Sequence, residues 1–133
     1  MNNGKKPIKI LLVDDEFEFV ETLGKRLASR GFEADCVTSG SAAIDHIIQK
    51  PYDVVITDLM MPQMNGLQLF SEIKKLAPTV SVIILTGLAE VDLAIDGIKS
   101  GLFDYIVKPV NFDELIEKIS MAYDKQKLNK ATD

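Results

Sequence analysis

Five short apolar runs alternate along this chain with five segments of helical period, and few folds accommodate that order. The runs are residues 9–13, 32–37, 54–56, 80–85 and 103–107. The strongest are nearly continuous in Val, Ile and Leu, as expected of strands covered on both faces. Between them, Val20, Leu23 and Leu27 repeat at helical spacing and stop at Gly31. Ser39-Gly40-Ser41 opens a second helix with Ile44, Ile47 and Ile48 on one face, which must end before Pro51. Phe70, Ile73 and Leu76 mark a third, with Pro78 beyond its end. Val91, Ala94, Ile95 and Ile98 mark a fourth, closed by Gly101. The fifth carries Leu115, Ile116 and Ile119 behind Asn111 and Glu114, spaced as a capping box. Such alternation implies an α/β fold: a doubly wound five-stranded parallel sheet with right-handed crossovers and five helices on its two faces.

Length and composition narrow the function. A chain of 133 residues is one domain with a full core, and 47% hydrophobic with 26% charged residues is ordinary globular usage. We divide it into a short N-terminal extension (1–7), one domain (8–123) and a polar tail or linker start (124–133). A net charge of −5 argues against a direct nucleic-acid surface, where phosphate contacts need Lys and Arg. No apolar run reaches the ~18 residues of a membrane span, and residues 1–7 lack a signal-peptide core. Cys36 is the single cysteine, so no internal disulfide forms, and a cytoplasmic location is expected. Cys36 itself reads as strand packing and His46 as solvated helix surface.

The chemistry sits at the strand ends. Strand one runs into Asp14-Asp15-Glu16, strand three into Asp58, strand four into Thr86 and strand five into Lys108. Each alone is commonplace: an acidic residue there often caps the next helix, and a lysine is usually solvated. In the strand order 2-1-3-4-5, however, strands one and three flank the topological switch point, and the three carboxylates converge. Carboxylates about 4 Å apart repel by roughly 1–4 kcal/mol per pair, which a cation relieves. Oxygen donors with no clustered His or Cys suit Mg²⁺. A carboxylate nucleophile, a divalent metal, a lysine and a hydroxyl together describe phosphoryl transfer to an aspartate.

On these stretches the sequence resembles the receiver domains of two-component response regulators. The matching pieces are Leu11-Leu12-Val13-Asp14-Asp15-Glu16, Val54-Val55-Ile56-Thr57-Asp58-Leu59-Met60-Met61-Pro62-Gln63-Met64-Asn65-Gly66, Ile84-Leu85-Thr86-Gly87 and Phe103-Asp104-Tyr105-Ile106-Val107-Lys108-Pro109. The resemblance covers residues 8–123 and implies a flavodoxin-like receiver fold. It implies that Asp58 is the phosphoacceptor, supplied by a sensor histidine kinase or phosphotransfer protein. It also implies that Asp14, Asp15, Asp58 and the backbone carbonyl of Met60 hold Mg²⁺. Lys108 and Thr86 would contact the phosphoryl group, Thr86 and Tyr105 would form a switch pair, and Pro109 would follow a cis bond. The output would pass through the face of helix four, strand five and helix five, to a protein target or a second copy. Apolar Met60 and Leu88, each two residues past a site residue, would shield the phosphoryl group from water.

Three other readings compete. An aspartate-nucleophile phosphohydrolase places a carboxylate two residues after its nucleophile as general acid, and here Met60 stands there. A nucleotide or flavin carrier needs a glycine-rich turn after strand one, where Asp14-Asp15-Glu16 would repel a pyrophosphate. The nearer alternative is the receiver fragment of a larger transcriptional regulator. The run from Ala94 to Pro109 is similar to regulators that drive ATPase-type transcription activators. With no output domain fitting after Tyr123, a stand-alone, non-enzymatic signalling domain is expected first.

Overall fold

A computed structural model describes residues 6–132 of the chain. Five parallel strands, β1 (Lys9–Val13), β2 (Glu33–Val37), β3 (Val54–Asp58), β4 (Ser81–Thr86) and β5 (Asp104–Val107), pair in the order β2-β1-β3-β4-β5. Helices α1 (Phe17–Ser29), α2 (Gly40–Gln49), α3 (Gly66–Leu76), α4 (Val91–Lys99) and α5 (Phe112–Thr132) form the crossovers and the closing layer. The expected sheet and its order are found. Each strand begins or ends within two residues of its expected position, and Asp58 is the last residue of β3 rather than the first beyond it.

Alternate residues of the central strands feed two separate cores. Leu11, Val13, Val55, Val82 and Ile84 pack with Leu69, Phe70 and Ile73 of α3. Ile10, Leu12, Ile56, Ile83 and Leu85 pack with Val20, Leu23 and Leu27 of α1 and Leu115 and Ile119 of α5. The period of two within each strand is what divides the layers.

The helices are anchored unequally. α1 buries Val20, Leu23 and Leu27, each contributing about 1.5–3 kcal/mol. α4 buries only Ala94 and Gly97 and has no side-chain cap. Of the residues expected to face inward on α4, Ile95 and Ile98 are each 39% exposed. Leu93 and Leu88 stand out further, Leu88 in a single 3₁₀ turn (Leu88–Glu90) that opens the helix. A wide apolar stripe on so short a helix leaves part of itself uncovered. Ile48 and Leu76 are likewise exposed, because α2 and α3 meet the sheet through Ala43 and through Leu69, Phe70 and Ile73.

Three local features add to the sequence reading. Residues 124–132, within the polar tail or linker start, continue α5 as helix. Gln126 takes a core-facing position there and is fully buried, which hides the helical pattern behind a polar name. Cys36 is exposed on the edge strand β2, with its sulfur turned towards Val20 O of α1 at 3.3 Å. His46 is half-buried, with Nδ1 3.0 Å from Ala42 O. Of the N-terminal extension, residues 1–5 lie outside the described residues.

Candidate functional site

β1 and β3 are neighbours with Val13 opposite Thr57, so the next residues of each, Asp14 and Asp58, emerge side by side at the carboxyl edge of the sheet. Asp14 is fully buried and both its oxygens are engaged. Oδ1 accepts the Glu16 backbone N–H at 2.9 Å, and Oδ2 lies 3.2 Å from Lys108 Nζ. Asp58, 7% exposed, places Oδ1 3.0 Å from the same ammonium. Asp15 stands in solvent beside them, and all three carboxylates present oxygens within 4.8 Å of one another. Among the described residues no other trio of His, Cys, Asp or Glu clusters in this way.

Lys108 reaches this point because β5 ends at Val107 and its own backbone N–H donates to Thr86 O at 2.8 Å, extending the β4–β5 pairing. The Lys108–Pro109 peptide bond is cis. The ring of Phe19, in the first turn of α1, lies 5.0 Å from Lys108 Nζ.

The loop after β3 is folded back tightly on the strand. Leu59 N–H donates to Leu85 O, and Gly66 N–H returns to Leu59 O at 2.8 Å. A Cβ on Gly66 would fall 2.5 Å from Asp58 O, so only glycine permits this approach. Gln63 adopts φ +69°, with Met64 N–H donating to Pro62 O at 2.7 Å. That is the geometry of a strained γ-turn. Asn65 then caps α3 in a full capping box with Gln68. Thr57, completely buried, donates its hydroxyl to Asp58 O. Sequence reading missed Thr57, the Asn65–Gln68 box and Phe19, and took Asn65-Gly66 only as a turn. The spacing Asn65-x-x-Gln68 was a signal it could have used.

Charge and burial act together on Asp58. Burial pushes its carboxyl up from the usual carboxylate range, and the neighbouring Asp14 and Asp15 add to this against the opposing pull of Lys108. Burial alone would lower Lys108, but pairing with Asp58 and Asp14 outweighs it and the ammonium is held above its ordinary value. Three carboxylates share one cation, so the site has room for another positive charge. Its donors are hard oxygens, which fit a divalent cation of the Mg²⁺ type.

Thr86 ends β4 fully buried, its hydroxyl donating to Gly87 O at 3.2 Å. Tyr105 on β5 is half-buried opposite Ile84. Lys118 of α5 holds the backbone there, donating to Tyr105 O at 2.9 Å while pairing with Asp104 at 3.0 Å. Met60 and Leu88, expected to shield the phosphoryl group, are 58% and 80% exposed beside the site.

The geometry has counterparts among known proteins. Residues 10–120 match the family model described as the response regulator receiver domain. Transcriptional regulatory protein GlrR of Escherichia coli (strain K12) is 38% identical over 120 residues, covering 90% of this chain and 27% of that protein. Transcriptional regulatory protein ZraR of Klebsiella oxytoca is 32% identical over 124 residues, covering 93% and 28%. A crystal structure of a response regulator receiver domain protein from Clostridium thermocellum superposes with a TM-score of 0.84 at 37% identity, covering 91% of this chain and 98% of that one. The chain thus spans about a quarter of the length of these curated regulators. It belongs to the receiver domain family of two-component response regulators.

Proposed function

We propose that this chain is a phosphoryl-activated switch in which Asp58 is the phosphoacceptor. The observation that carries this reading is the convergence of Asp14, Asp15 and Asp58 around the Lys108 ammonium. An oxygen of Asp58 attacks phosphorus, and an O–P bond forms as the N–P bond of a kinase or phosphotransfer phosphohistidine breaks. Asp14, Asp15, Asp58 and the Met60 carbonyl would hold Mg²⁺, which supplies charge neutralisation at the transferring phosphoryl oxygens. Lys108 gives up its carboxylate contacts to take phosphoryl oxygens, and the Thr86 hydroxyl turns from Gly87 O to donate to the same group. Two negative charges and three acceptor oxygens reward that packing over the present one.

The output leaves through α4, β5 and α5. Leu88, Leu93, Ile95 and Ile98 give this side an apolar surface, and Tyr105 with Lys118 links the strand to α5. The target is a protein or a second copy of the chain rather than nucleic acid, and the domain acts as a non-enzymatic signalling module in the cytoplasm. Among the described residues no helix is long and apolar enough to cross a membrane. Because the chain matches only about a quarter of GlrR and ZraR, a role as the receiver unit of a larger transcriptional regulator is the second reading.

The test is labelling with acetyl phosphate in Mg²⁺. Wild-type protein is expected to take up an acid-stable, alkali-labile aspartyl phosphate, and Asp58→Asn to take up none. Unchanged labelling in that variant refutes the assignment. Sizing the protein with and without beryllofluoride plus Mg²⁺ then shows whether the output is self-association.

A further inference from the structure

Phe19 stands against the site without belonging to any of the roles above. It lies four residues after Asp15, so the turn that delivers two carboxylates from β1 also delivers an aromatic ring from the start of α1. Its ring centroid is 5.0 Å from Lys108 Nζ, closer than any of the five other lysine–ring pairs among the described residues, at 5.3 to 6.0 Å. Lys108 is also the lysine paired with two acidic residues of the site, at 3.0 and 3.2 Å. An open groove of about 500 Å³ runs along this side, lined by Glu16, Glu18, Phe19, Arg26, Lys108 and Pro109 among others.

We infer that Phe19 is a positioning residue for Lys108, holding the ammonium over the Asp14–Asp58 pair through the face of its ring. This rests on the reading of Asp58 as phosphoacceptor. An ammonium has three donors, and Asp14 and Asp58 take two. Glu16 and Glu18 line the groove too, but among the described residues neither pairs with Lys108; a carboxylate that did so would fix the third donor and tether the cation when it has to move. A ring face attracts the cation without a lone pair, so the pull has little direction. Lys108 can therefore shift from carboxylate to phosphoryl oxygens while the ring keeps it from swinging into solvent. Phe19 packs its remaining surface on the core beside Val20 and Leu23, which fixes where the ring sits.

The variants are Phe19→Leu and Phe19→Met, which retain apolar volume but have no ring face, and Phe19→Tyr, which keeps it. Two readouts apply to the whole chain. In NMR spectra, the Lys108 side-chain methylene protons nearest the ammonium are expected to be displaced by the ring current in wild type and Phe19→Tyr. Both aliphatic variants should return them towards ordinary lysine positions. In titrations with beryllofluoride and Mg²⁺, the aliphatic variants are expected to bind about three- to tenfold more weakly, the scale of one cation–ring contact at a partly exposed site, with Phe19→Tyr restoring the affinity. Equal affinity in wild type and both aliphatic variants overturns the inference, as does an affinity loss that Phe19→Tyr shares. Wild-type protein that binds no beryllofluoride overturns the phosphoacceptor reading itself, and this inference with it.

Discussion

Replacing Asp58 by Asn is expected to make the metal-free protein more stable, although it removes an ion pair. Asp58 Oδ1 sits 3.0 Å from Lys108 Nζ, an attraction of about 5.5 kcal/mol at an effective dielectric near 20. Against it, Asp14 within 4.8 Å repels Asp58 by at least about 3.5 kcal/mol at the same dielectric. Exposed Asp15 adds about 0.9 kcal/mol at the dielectric of water. Pairing therefore leads repulsion by only about 1 kcal/mol, less than the several kcal/mol that burying a carboxylate costs. Burial decides the sign, in agreement with the upward shift of the Asp58 carboxyl. Asn keeps the volume and an oxygen that accepts from Lys108. The net gain is expected to be about 1–2 kcal/mol, or roughly 3–8 °C in Tm for a chain of this size. Thermal melts in EDTA at low ionic strength measure it. Adding millimolar Mg²⁺ should raise the wild-type Tm more than that of the variant, because ligand binding stabilises only a competent native site. A lower Tm for Asp58→Asn in EDTA, or an equal Mg²⁺ response in both proteins, would refute the charge accounting.

Three further outcomes follow from other parts of the molecule. Tyr52→Phe removes a 2.6 Å hydrogen bond to Asp35, which with Lys50 holds the Asp35 carboxyl below its ordinary 3.8 despite the opposing effect of burial. The Asp35 contribution is present above its unfolded pKa and is lost as pH falls through the lower folded value. The variant should therefore lose about 1 kcal/mol in urea melts at pH 7, a modest figure for a half-exposed carboxylate, and the gap should close as pH falls below the ordinary 3.8. Gln126 is 1% exposed and its Nε2 has no hydrogen-bond partner among the described residues, so Gln126→Met is expected to gain about 1 kcal/mol in the same melts. Amide exchange should be fastest, among the five helices, in α4, which buries only Ala94 and Gly97; protection there equal to that of α1 would contradict this ranking.

Much of this was legible from the chain. Strand sequences buried on both faces announce themselves by continuous apolar composition, and their alternation with helices implied a parallel sheet, whose order 2-1-3-4-5 came with the family resemblance. Asp14, Asp15, Asp58 and Lys108 were findable because strand ends place them, and sheet pairing converts strand ends into neighbours. What escaped depended on depth rather than pattern. Ile95 and Ile98 have the spacing of a core face, yet the sheet meets α4 at Ala94 and Gly97. Gln126 has a polar name and a core position. Gly66 looked like a turn residue, whereas its role is to let α3 begin against the carbonyl of Asp58. Phe19 was invisible because its partner lies 89 positions away and the contact is with a ring face.

The helical continuation of α5 has a mechanical consequence. Its 21 residues make a rod of about 31 Å, seated on the sheet through Leu115, Ile119, Ala122 and Gln126. Lys118 ties this rod to β5 beside Tyr105, near the end closest to the acidic cluster. A tilt of about 10° pivoting at Leu115 would carry residue 132 through roughly 4 Å. The same tilt moves Lys118 by under about 1 Å but the buried Gln126 by about 3 Å, so the seat of Gln126, not the packing around Tyr105, limits how far the tip can travel.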